Sequence, residues 1–252
     1  MTSTVLPPAP PRIRVEIALV LAITFGASGA RAIARIIDGL LADLGLSEQA
    51  VTLNKNLANT AWLDFALQLI GAGVLIAWGL LAWYLLDASK VTDIPGRPRL
   101  VDWGWGAVLA AVIGLPGLAW YLGSVALNVN KQVIPVDAEQ TWWMAAALLV
   151  WAFANAFAEE MVVVAYFATR LQQLAWAPAA IIAASALLRG SYHLYQGIGG
   201  GLGNVAMGVL FAVVWLRWRK IWPLVVAHFL IDAVVFLGYP LVSQFLPLPS
   251  SA

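Results

Sequence analysis

Residues 61–86 read AWLDFALQLIGAGVLIAWGLLAWYLL, an apolar run in which Asp64 is the one charged residue. The ~30 Å hydrocarbon core of a bilayer takes about 20 such residues in a helix that rises ~1.5 Å per residue. The stretch therefore reads as a membrane-crossing helix, and the composition says that it is not alone. The chain is 62% hydrophobic and 11% charged, whereas a soluble domain carries roughly 25% charged residues. That leaves too little charge to coat a water-facing surface. The 252 residues allow seven or eight spans and little else. The expected fold is an all-α, polytopic membrane helix bundle without a soluble appendage.

Apolar runs on either side of 61–86, separated by charge or by Pro and Gly clusters, supply the other spans. The first runs from about Val15 to Ala30 and continues through ARAIARIIDGLLADLG (30–45). That continuation sets Ile33, Ile36, Ile37, Leu40, Leu41 and Leu44 on one face, as in a helix leaving the bilayer along its interface. The third covers about Trp103 to Leu127, with a bend expected at Pro116. The fourth starts at Trp142 and Trp143 and stays helix-compatible to Leu174, a length of ~45 Å that exceeds the bilayer. Pro178 opens the fifth, which ends at the glycine run GIGGGLG (197–203). The sixth is about Asn204 to Trp218 and the seventh about Trp222 to Phe245. The start MTSTVLPPAPPRIR is Pro-rich and lacks the pattern of a cleaved signal, so the first span is expected to act as an uncleaved anchor. These readings divide the chain into a disordered tail (1–12), two sets of membrane helices (13–138 and 139–246) and a short C-terminal tail (247–252).

The net charge of +1 points to no nucleic acid and no strongly acidic partner. With no cysteine, disulfides and Cys-ligated metals are excluded. With a cytoplasmic N-terminus, the inner segments carry Arg12, Arg14, Lys90, Arg97, Arg99, Arg170, Arg217, Arg219 and Lys220. The outer ones carry Arg31, Arg35, Lys55 and Lys131. The excess of inner cations favours this orientation in the cell membrane.

An ionisable side chain in lipid costs at least ~2.5–3.5 kcal/mol, so each one needs a reason. Glu16 and Asp64 lie near span ends and can reach the interface. Glu159, Glu160, Arg189, His193, His228 and Asp232 are different. They gather in the C-terminal half, and both histidines of the chain are among them. Arg189 and His193 are four apart, as are His228 and Asp232, so each pair shares a helix face. Asn155 lies one turn before Glu159 and can share its face. Three helices thus each present polar groups that lipid penalises, and turning these toward one another removes the penalty.

A buried polar network that locks helices together accounts for any one of these residues. The set as a whole suits hydrolysis of an acyl bond, with a peptide bond as the expected case. A carboxylate beside a histidine can hold and deprotonate a water. A second histidine with a carboxylate or amide can stabilise the oxyanion. Alternatively, His193, His228, Asp232 and Glu159 could ligate a divalent metal such as zinc that activates the water.

EEMVVV (159–164), RGSYH (189–193) and HFLID (228–232) resemble the motifs of the CPBP family, which groups CAAX prenyl proteases with bacteriocin-processing and immunity proteins. Its members carry EExxxR, FxxxH and HxxxN or HxxxD on successive membrane helices. The resemblance covers roughly residues 140–240 and implies that 139–246 holds the catalytic helices of an intramembrane endopeptidase. It implies that Glu159 and His193 activate the water, that His228 and Asp232 stabilise the oxyanion or help bind metal, and that Glu160 orients its neighbours. A glutamate-type enzyme would need no cofactor. The substrate would be a membrane protein or a lipid-associated peptide.

Two positions depart from the pattern: Val164 stands where the family has Arg, and Arg189 where it has Phe. A positional exchange is the expectation, with Arg189 supplying the cation that pairs with Glu159 or Glu160. Ideal straight helices also leave His193 and His228 offset along the membrane normal, by a distance on the order of 10 Å. Two other functions would keep the same network: a non-catalytic scaffold or immunity-type protein, and a proton-coupled transporter. The transporter would favour inverted internal symmetry, and the two halves show none.

Overall fold

The computed structural model describes residues 6–91, 96–135 and 142–238. They form an all-α membrane bundle with a small two-stranded appendage. Its helices are α1 (Ile13–Ile23), α2 (Phe25–Leu41), α3 (Ala61–Ala88), α4 (Leu100–Ala126), α5 (Trp142–Glu159), α6 (Phe167–Gln173), α7 (Pro178–His193), α8 (Ile198–Trp218) and α9 (Trp222–Ala233). A π-helical stretch, Glu160–Tyr166, joins α5 to α6, and a second, Val234–Gly238, follows α9.

Among the described residues, helix lies on each of the seven runs read from the sequence. Four are long and apolar enough to cross a bilayer: 61–88, 100–126, 143–173 and 198–218. The bent pair α1–α2 makes a fifth if counted as one span. At 16 residues α7 is shorter than the ~20 of a full span, and so is the apolar helix Trp222–Gly238. Among the described residues, four or five spans by length thus stand against the expected seven or eight. The protein is multi-pass, and its central post is the 143–173 helix. Two thirds (67%) of that helix's most apolar stretch is buried, against 6% for α4, which is exposed along most of its length.

Several boundaries differ from the sequence reading. The first break falls at Thr24, where α1 and α2 bend by 50°. There the Thr24 hydroxyl donates to the Val20 carbonyl at 2.6 Å, closing α1 on its own last turn. Along α2, Ile36 turns into the protein, while Ile33, Ile37, Leu40 and Leu41 stay exposed. α4 runs on through Pro116. The glycine run is not a loop: α8 begins at Ile198 and contains Gly199, Gly200, Gly201 and Gly203. The chain turns instead at Gly197, whose φ of 125° is open to glycine alone. The last part of the expected seventh span, and the tail 247–252, lie outside the described residues.

Strands β1 (Ala50–Leu53) and β2 (Gln132–Pro135) pair in parallel, with Ala50 opposite Gln132. The loop before β2 is pinned to the turn between α7 and α8. Lys131 N–H donates to the Gln196 carbonyl at 2.8 Å, and Gly199 N–H to that of Val129 at 2.9 Å. The strands thus attach beside the end of α7, where His193 sits.

Buried charge away from the C-terminal cluster is paired or capped. Asp64 accepts from the Leu57 N–H at 2.5 Å and from Ala58, which fixes the approach to α3. Arg170, counted among the inner cations, is fully buried on α6. It donates to Glu16 at 2.7 Å and to the Leu85 carbonyl at 2.8 Å. Tyr166 also donates to Glu16, at 2.9 Å. This clasp ties α1 and α3 to the central post.

Candidate active site

The site grows from the point where α5 passes into the π-helical stretch. Consecutive residues on a helix point ~100° apart, so Glu159 and Glu160 address different neighbours. Glu159 faces α7, and Glu160 lies between α7 and α9. The π stretch widens the turn after them, a rare geometry that recurs at functional sites. One carbonyl in this stretch, that of Val163, is satisfied by the hydroxyl of Ser185 on α7 at 3.0 Å, in a fully buried position.

Glu159 Oε2 accepts the Tyr192 hydroxyl at 2.7 Å and Arg189 Nη1–H at 3.2 Å. His193 Nε2 lies 3.7 Å from the same oxygen. Glu160 is completely buried; its Oε1 accepts Arg189 Nη2–H at 2.6 Å and stands 2.8 Å from His228 Nδ1. On the far side of that ring, His228 Nε2 is 3.7 Å from Asp232 Oδ1. Asn155 donates to Asp232 Oδ2 at 3.5 Å. All the residues singled out from the sequence therefore meet. The expected offset between the histidines is absorbed because two adjacent glutamates each reach one of them.

Arg189 is the hub. Its guanidinium forks across both carboxylates, with one nitrogen to each, a geometry that arginine offers and lysine does not. It lies 5.3 Å from the centre of the Phe211 ring. Its stem passes over Gly208, where an added Cβ would stand 2.8 Å from Ala186 Cα and 3.3 Å from Arg189 Cδ. Gly208→Val is therefore expected to force α7 and α8 apart and to destabilise the protein by roughly 1–3 kcal/mol. A lowered melting temperature of the purified protein in detergent checks this; an unchanged one would contradict the packing.

The two histidines differ in freedom. His228 is committed at Nδ1 to Glu160, which fixes its ring and aims Nε2 toward Asp232. His193 has neither ring nitrogen hydrogen-bonded among the described residues, although both atoms are buried. It is the last residue of α7, and its ring stacks 6.3 Å from that of Tyr195. His193 Nε2 lies close enough to the Glu159 carboxylate, 3.7 Å from Oε2, for the imidazole and the carboxylate to share one water.

As possible metal ligands, the residues do not converge. Among the described residues no three of His, Asp or Glu are grouped to hold one ion. Glu159 and Glu160 are instead turned onto the Arg189 cation.

Sequence reasoning missed Tyr192, although its spacing of three from Arg189 sets it on a neighbouring part of the same helix surface. It also missed the π stretch, which has no signature in residue type.

Motifs in this order, gathered around paired glutamates, invite comparison with known proteins. Residues 141–234 match the Rce1-like family. The matching family model is described as type II CAAX prenyl endopeptidase Rce1-like, and its span takes in every residue of the cluster. It bears out the resemblance to the CPBP family over that segment. No curated protein and no solved structure matches the chain.

Proposed function

We propose that the chain is an intramembrane endopeptidase of the Rce1-like type, hydrolysing a peptide bond in a membrane-associated substrate through a water activated by Glu159 and His193. One observation carries this reading: His193, with both ring nitrogens buried and unbonded, faces a glutamate that Arg189 and Tyr192 hold in place. A carboxylate fixed by two donors beside a free imidazole suits general-base chemistry on water.

In this mechanism Glu159 removes a proton from water as its oxygen attacks the substrate carbonyl carbon. The carbonyl oxygen becomes an oxyanion, which His228 stabilises from Nε2 as an imidazolium held between Glu160 and Asp232. Collapse breaks the C–N bond, and the proton on Glu159 passes to the departing amine. The second proton of the water leaves the new carboxyl group for the amine, so the products are a carboxylate and an ammonium. Asn155 steadies Asp232, and Glu160 orients His228.

Glutamate chemistry is proposed in place of a resident zinc because both glutamates are already bound to the Arg189 guanidinium. The domain division follows the same reading, with catalysis in 139–246. The N-terminus is proposed to be cytoplasmic. Removing buried Arg170 from the inner cations leaves eight against four, which keeps that sign.

The test is direct. The purified full chain in detergent is given a quenched fluorescent peptide ending in a prenylated CAAX sequence, with and without a strong chelator. Cleavage at the same rate in both is expected. Cleavage lost on chelation and restored by zinc would replace the glutamate mechanism. A wild-type protein that cleaves nothing would favour a scaffold of the immunity type.

A further inference from the structure

Tyr192 stands one residue before His193, yet it points at the same carboxylate. Its ring is fixed by packing: Phe25 of α2 lies 4.8 Å away, and Trp78 of α3 meets Phe25 edge-on at 5.7 Å. α2 approaches closely enough to do this because Gly29 faces Ser191; a Cβ at Gly29 would meet the Ser191 hydroxyl and lie 3.8 Å from Tyr192 N. The phenol hydroxyl is thus delivered to Glu159 by three helices. Along with Arg189, it donates to Oε2, so two donors share one oxygen of this carboxylate. A carboxylate offers about four lone-pair sites over its two oxygens. Two donors on Oε2 occupy the pair belonging to that atom.

We infer that Tyr192 is a positioning residue that anchors Oε2 of Glu159, so that Oε1 is the oxygen that takes the proton from water. The inference rests on the proposed peptidase reading and refines it. The carboxylate works as a two-ended group: one oxygen is tied to α7, and the other is presented to the reacting water. Without the phenol, the carboxylate would turn about its last side-chain bond and present either oxygen.

The measurement compares wild type, Tyr192→Phe, Glu159→Ala and the double variant, each as the full chain in detergent. Phenylalanine keeps the ring against Phe25 and deletes only the hydroxyl, so a residue that merely packs would leave kcat unchanged. The positioning role predicts kcat lowered roughly 10- to 100-fold, the cost of losing one hydrogen bond to a charged group, with KM unmoved. An unchanged kcat, or a change confined to KM, overturns it.

Melting temperatures of the same four proteins give a reading that does not depend on cleavage. The double variant is expected to lose less than the two single variants added together, because the bond can be lost only once. Strict additivity overturns the inference. If wild type fails to cleave the prenylated peptide, the peptidase reading has failed on that probe, and the melting cycle alone decides whether Tyr192 holds Glu159.

Discussion

Glu159→Ala and His193→Ala should each cut cleavage of the prenylated peptide by ~10²–10⁴-fold, the usual contribution of a positioned acid–base group. Both variants should still be expressed and inserted, since neither residue is the sole partner of a buried charge. Arg189 keeps Glu160 at 2.6 Å when Glu159 is gone. His193 has no hydrogen bond to lose among the described residues. The two groups act on one water, so their losses should not multiply. The double variant is expected to be about as slow as the slower single one, the behaviour of residues that work as a unit. Initial rates under kcat conditions, normalised to folded protein, check this. Full activity in His193→Ala would remove the histidine from the mechanism. Losses that multiply would mean that the two residues serve separate steps.

Much of this arrangement was legible in the sequence because lipid makes polar residues conspicuous. Glu159, Glu160, Arg189, His193, His228, Asp232 and Asn155 could be collected from cost alone, and i, i+4 spacing placed them on shared faces. The positions of the apolar segments followed from hydropathy for the same reason. Other features left no such trace. Whether the carbonyls of 160–166 bond four or five residues on is decided by packing against α7 and α3, and EMVVVAY suits either. The glycine run looked like a loop because glycine is a poor helix former in water. Here those residues let α8 pack closely on its neighbours: a Cβ at Gly201 would meet Leu194, and one at Gly199 would meet Ser124. Arg170 was counted among the inner-side cations by its charge. Its real partner, Glu16, lies 154 residues away, and no local pattern links them. β1 and β2 are four residues each and pair across the two intervening helices α3 and α4, so alternation had too few positions to declare itself.

Arg189→Phe, which restores the family's residue at that position, is expected to be the most damaging single change in the protein. It leaves Glu160 buried with His228 as its one remaining hydrogen-bonded partner among the described residues, and strips Glu159 of the Arg189 cation. Removing one member of a buried ion pair costs ~3–5 kcal/mol, a large share of the ~5–15 kcal/mol that holds a typical domain together. The expected readout is little folded protein after extraction into detergent. Arg189→Lys should be intermediate, because an ammonium keeps the charge but cannot fork across two carboxylates. Val164, where the family carries its arginine, is fully buried and one turn beyond Glu160. Val164→Arg alone would crowd a second long cation into a fully buried position beside carboxylates already paired with Arg189, and should itself destabilise. In the Arg189→Phe background the same change supplies the missing charge from the family's own position, and should recover folded protein and part of the cleavage rate. Recovery in the double variant, with loss in both single ones, is the signature of a cation moved from one helix to another. If Arg189→Phe folds and cleaves normally while Val164→Arg changes nothing, the exchange is wrong. The glutamates would then be held by their histidines and Tyr192 alone, and Arg189 would be a passenger in the site.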